Sequence, residues 1–121
     1  MATAAVNIGP RERRKRRLMG IVALAAGAGL AFVLVVFGAP RLMRLLLFVP
    51  FWLAGLGLFQ AKEATCIALA GRDACNMDEG EETISDPARR EALRAKAQRI
   101  HRRAFILAVV ATLVALVFPT L

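Results

Sequence analysis

The residues of this chain best suited to chemistry are two cysteines, Cys66 and Cys75. They stand at C-x8-C spacing in the stretch EATCIALAGRDACNMDEGEE, which also carries the acidic run DEGEE. A pair of thiols could hold a soft metal, form a disulfide or act as a redox couple. Zinc requires four ligands, with the close pair usually two to four residues apart. The spacing here is wider, and the single histidine, His101, lies well downstream. A catalytic thiol needs a cation or a helix N-terminus beside it, whereas Cys75 has Asp73, Asp78 and Glu79 as sequence neighbours, of the wrong sign for that task. Calcium fares no better. An EF-hand loop wants oxygen donors at alternating positions ahead of its glycine, and counting back from Gly80 puts Cys75 and Met77 there. The residues therefore specify no metal and no cofactor, and a solvated turn with small apolar cysteines is the default reading. A thiol- or metal-handling role for Cys66 and Cys75 stands as the alternative.

No other constellation suggests catalysis. The chain has one histidine, no tyrosine and no glycine-rich loop able to cradle a nucleotide. The expectation is a protein that is not an enzyme.

The elements that must position these residues are unusual. Of 121 residues 58% are hydrophobic, with mean hydropathy +0.55, yet the formal charge is +8. Apolar and basic residues are segregated into blocks. The apolar runs 18–39, 45–61 and 104–121 reach about 33, 25 and 27 Å as helices, against a hydrocarbon core of roughly 30 Å. A lipid environment obliges such runs to satisfy their own backbone, hence to be helical. A soluble bundle would need a polar face on each helix, and none of the three runs has one. The first run is too long for an ordinary signal-peptide core and has Pro40 directly after its small-residue site, so it reads as an uncleaved anchor.

Basic residues set orientation. Six lie in the block RERRKRR, two in the turn GAPRLMR and nine between Lys62 and Arg103. The positive-inside rule then puts the N-terminus and the segment 62–103 in the cytoplasm and the C-terminus outside, in a bacterial inner membrane. Cytoplasmic thiols are kept reduced, which argues against a disulfide.

The expected fold is an all-α membrane protein with three transmembrane helices and a cytoplasmic helical hairpin between the second and third. Its parts are a basic N-terminus (1–17), a transmembrane hairpin (18–61, with spans near 18–39 and 43–61), the helical hairpin (62–103) and a last span (104–121). The first limb of the helical hairpin would continue the second span as far as Gly71. The second limb would begin at the cap Ser85 or Asp86 with Pro87 at the first helical position, and run unbroken into the last span. Leu93, Ile100, Leu107 and Val114 recur every seven residues, beside Ala97, Ala104 and Ala111, and mark a seam for a partner helix. Pro50, Gly55 and Gly57 mark a bent second span, with a re-entrant segment as the alternative.

Three binding expectations follow. Arg99, Arg102 and Arg103 lie nearest the last span and can contact lipid headgroups, including anionic ones. Arg89 and Arg90 stand about 20 Å farther out along the helix. In the first span Ala23, Gly27 and Ala31 recur at every fourth position, a spacing that admits close helix packing within the chain or between copies. Nucleic acid is not an expected partner, because no aromatic residues interleave with the arginines. Together these features describe a small multi-pass membrane protein acting as a non-enzymatic scaffold, assembly factor or accessory subunit, bound to a protein partner or to its own copies.

Overall fold

The computed structural model describes residues 6–119; residues 1–5 of the basic N-terminus and residues 120–121 of the last apolar run lie outside that range. Three stretches are long and apolar enough to cross a membrane: Pro10–Val36, Arg41–Glu63 and Pro87–Val117. The chain is mostly helical.

Helix α1 spans Pro10–Val36, so the block RERRKRR is its first two turns rather than a separate tail. Proline at the first position is preset for a helix and gives up no needed donor. Gly9, the N-cap, has no side chain to offer. The carboxylate of Asp78 does that work from the other end of the chain, accepting from the backbone N–H of Arg11 at 2.9 Å and of Glu12 at 3.1 Å. A Cβ at Gly9 would lie 2.7 Å from Asp78 Oδ2, so only glycine admits this approach. The far end of α1 closes on itself. Gly38, at φ +65°, lets its own N–H and those of Phe37 and Ala39 return to the carbonyls of Val35, Val33 and Leu34, the usual glycine stop.

The second apolar run is one continuous helical stretch. A 3-10 helix at Arg41–Leu47 feeds directly into α2, Phe48–Glu63. Pro50 is the third residue of α2, just past the change from 3-10 to α-helical pitch. The added 3-10 turns extend the segment to about 38 Å, so it is not short of a bilayer's hydrocarbon thickness. Helix α2 sits between its neighbours, with α1 and α4 both packed on it. Glycines set both contacts. A Cβ at Gly57 would come within 2.7 Å of Arg16 O and Gly20 N, and one at Gly20 within 2.8 Å of Leu58 N. On the other side a Cβ at Gly55 would lie 3.1 Å from Ala104 Cα.

The expected helical hairpin is corrected here. Helix α2 ends at Glu63, Ala64 turns into the left-handed region at φ 50°, and only a five-residue helix α3 (Ile67–Gly71) follows. Strands β1 (Ala74–Asn76) and β2 (Glu81–Thr83) then pair antiparallel, Cys75 opposite Glu82. Ile8 adds a parallel bridge to Asn76, so the fold is not purely α-helical. The cause is tertiary. Asn7 takes the backbone of Cys66 at both groups, accepting from its N–H at 2.6 Å and donating to its carbonyl at 3.0 Å. Gln60 Oε1 accepts from Ile67 N–H at 3.1 Å. These are groups that a continuing helix would have used itself. Residues 6–9, α3, the β-hairpin and the first half of α4 form a compact polar head on the bundle.

Helix α4 runs over Pro87–Val117, about 46 Å, and Asp86 caps it by accepting from Ala88 N–H at 3.1 Å. Its seam differs from a seven-residue repeat. Leu93, Ala97, Ile100, Ala104, Ala108 and Thr112 are buried; Leu107, 38% exposed, keeps its Cδ2 against Gly55 of α2, and Val114 is 57% exposed. Past Ala104 the buried positions recur at every fourth residue, a ridge of a straight helix.

Gly57→Ala should lower stability by about 1–3 kcal/mol, because its methyl meets backbone that cannot move aside. Gly29→Ala, whose methyl meets nothing within 4 Å, is the control. Unfolding of both variants in detergent is the measurement, and equal midpoints would refute the Gly20–Gly57 contact.

Candidate functional site

The junction between bundle and head concentrates the buried polar side chains. Asn7 and Thr65 are fully buried, Lys96 is 3% exposed and Gln60 8%. Their work is legible from their partners. A helix leaves its last four carbonyls without internal donors, and at the end of α2 each of these is met. Thr65 N–H donates to Gln60 O. Arg13 Nε donates to Ala61 O at 2.9 Å and its Nη2 reaches Lys62 O at 3.5 Å. Lys96 Nζ donates to Glu63 O at 3.0 Å, which also accepts from Thr65 Oγ1 at 2.9 Å. Cations at a helix C-terminus also match its dipole.

Glu63 is the counter-ion of this site, with Lys96 Nζ at 3.9 Å and Arg103 Nη1 at 3.8 Å from its carboxylate. Burial pushes the Lys96 ammonium below its ordinary range; Glu63 opposes that, and Arg99 and Arg13 add to it. A lysine so placed could serve as a base, but its amine is spent on a backbone carbonyl.

At the opposite end of the bundle the same device recurs. Arg44, fully buried, donates from one nitrogen to Ala115 O at 2.7 Å and Phe118 O at 2.6 Å. Arg41 donates to the carbonyl of Leu116 and reaches that of Phe118 at 3.4 Å. The two arginines of the 3-10 helix thus cap α4.

The two cysteines are free, buried and set apart. Cys66 packs with Ile8, Ala64, Leu69 and Ala74, and Cys75 with Ala70, Ile84, Leu93 and Ala97. Arg16 Nη2 lies 3.0 Å from Cys66 Sγ. Among the described residues no three His, Cys, Asp or Glu side chains converge in a way that could hold a metal ion.

The three headgroup candidates part company. Arg103 turns to Glu63, Arg99 is half-buried, and Arg102 is exposed beside His101 and Gln98 at a cleft between α3 and α4. The distal pair is engaged with the head itself. Arg89 donates to Val6 O at 2.9 Å and Arg90 to Ile84 O at 2.6 Å. Of the small residues in α1, Gly27 is buried against the Phe51 ring, where a Cβ would sit 3.3 Å away, and Ala23 and Ala31 are half-buried.

Asn7, Gln60 and Lys96 escaped the sequence reading. Gln60 carried a signal, as the one amide in its apolar run. Asn7 carried none, because its partner is 59 residues away.

Asn7→Ala would strip the buried Cys66 backbone of a donor and an acceptor, a loss on the order of 3 kcal/mol. Amide exchange at Cys66 and Ile67 should accelerate while the middle of α2 stays protected. Unchanged exchange at Cys66 would contradict the role given to Asn7.

Comparison with protein-family models, curated proteins and solved structures finds no significant match to this chain.

Proposed function

We propose that this chain is a three-span integral membrane protein of a bacterial inner membrane, acting without catalysis as a scaffold, assembly factor or accessory subunit. Its N-terminus and polar head face the cytoplasm and its C-terminus the outside. The observation that carries the reading is the use made of the buried and half-buried polar groups at the junction of head and bundle. Asn7, Arg13, Gln60 and Lys96 all bind backbone of the chain itself, in an arrangement that holds a head at a fixed place on a bundle. The flanking helices meanwhile present large apolar side chains outward, Phe32, Phe105, Ile106, Val110 and Leu113 among them, which suit lipid and partner helices. The charge distribution supports the orientation, with fifteen of seventeen basic residues at the head end, six in the block RERRKRR and nine between Lys62 and Arg103, and only Arg41 and Arg44 at the other.

The alternative, a thiol- or metal-handling membrane protein, draws on one contact, the Arg16 guanidinium at Cys66 Sγ. Cys66 is only 6% exposed and Cys75 8%, which limits access by any substrate.

Orientation is tested by placing a thiol at exposed Ser85. In intact cells Ser85→Cys should resist a membrane-impermeant reagent and react after permeabilisation, the buried native thiols serving as a slow background. Labelling before permeabilisation would reverse the topology. The function itself is tested by purification from native membranes in mild detergent. A stoichiometric co-purifying protein, or a defined homo-oligomer, is expected. A lone chain carrying stoichiometric metal that Cys66→Ser with Cys75→Ser abolishes would establish the alternative instead.

A further inference from the structure

We infer that the cleft between α3 and the polar half of α4 binds a phosphate diester, the headgroup of an anionic phospholipid in the adjoining leaflet; this rests on the membrane reading above. The cleft measures about 470 Å³, within the roughly 300–1,000 Å³ typical of small-molecule sites. Arg94, Gln98, His101 and Arg102 line one wall, and their spacing puts them on a single face of α4. Ile67 and Ala97 make an apolar floor.

The donors on this wall are already sorted. Arg94 is committed, its Nη2 at 2.6 Å from Asp73 Oδ2, which neutralises it and holds it at the rim. Gln98, His101 and Arg102 are exposed. A guanidinium offers paired N–H groups that match two phosphate oxygens; an amide and an imidazole add single donors. Among the described residues that line the cleft there is no carboxylate, and Asp73 beside its rim is paired with Arg94.

Position favours a lipid over free phosphate. Arg102 comes just before the apolar stretch of α4, so the cleft opens where the polar part of that helix gives way to hydrocarbon-compatible residues. Trp52 of α2 stands edge-on to the His101 ring, 6.1 Å between centroids at 83°. The neighbouring Arg103 carries the same charge at almost the same depth but pairs with Glu63. Charge alone therefore does not distinguish the two arginines, and the cleft does.

Trp52 is the only tryptophan, so its emission reports on His101. The full chain is reconstituted in phosphatidylcholine vesicles, and flotation tests the membrane reading by itself. A chain that fails to float with vesicles refutes that reading and this site with it. In floated protein, raising the fraction of phosphatidylglycerol should change Trp52 emission saturably. Arg102→Gln should raise the half-saturating fraction about tenfold more than Arg103→Gln does, in line with loss of a charged hydrogen bond. Gln98→Ala, also at an exposed position, should raise it about threefold and carries the test should Arg102→Gln fail to fold. Equal shifts for the two arginine variants would reveal diffuse attraction and overturn the site, as would no response of Trp52. The same emission change with sodium phosphate in pure phosphatidylcholine would overturn the headgroup assignment in favour of the free anion.

Discussion

A helix ends in four carbonyls that need donors, and in or beside hydrocarbon there is little water to supply them. Three long helices in this small chain end in such carbonyls, and they meet the demand in two ways, by backbone at one end and by basic side chains at the other two. Helix α1 folds its own backbone back at Gly38. Helix α2 draws Arg13 from α1 and Lys96 from α4. Helix α4 takes Arg41 and Arg44 from the 3-10 helix that leads into α2. Two of these solutions bridge elements distant in sequence, so satisfying the backbone also ties the bundle together at both ends.

Close approach is the companion constraint. Apolar burial gives helices little reason to associate within lipid, and packing at short range must do so. Gly20 meets Gly57 on one side of α2, and Gly55 meets Ala104 on the other. These contacts lie toward the head end of the bundle, where Arg13 and Lys96 also act. Between α1 and α4 at the other end an apolar cleft of about 540 Å³ remains, lined by residues such as Phe32, Val35, Phe51 and Val114.

The head is small and depends on the bundle for its order. Its β-hairpin has only three residues per strand, too little to stand alone. Asn7, whose carbonyl accepts from Asn76 N–H at 2.7 Å, and Ile8 pin one edge, while Glu82 and the Arg72-paired Glu81 leave the other edge charged and exposed, which discourages pairing with other strands. Arg89 and Arg90 bind its backbone from α4. Asp78 in turn caps α1. Head and bundle thus stabilise each other through charged hydrogen bonds at their junction.

The local part of this architecture was legible in the residues. Three uncharged runs are helices because lipid-compatible backbone has few other options, and the Asp86–Pro87 start of α4 was readable because capping is a matter of adjacent positions. Gly38 and Pro40 likewise announce a turn. Other features had no local signature. A continuous helix through EATCIALAG was the natural expectation, and it failed because Asn7, 59 residues earlier, binds the Cys66 backbone. Arginines that read as markers of orientation are also caps, a role visible only when the carbonyls they meet are in place. Arg102 and Arg103 are adjacent and identical in type, yet one opens on a cleft and the other pairs with Glu63. Composition and period decide which segments are helices, because those depend on neighbours along the chain; which donor meets which carbonyl depends on neighbours in space, and tertiary structure alone decides it.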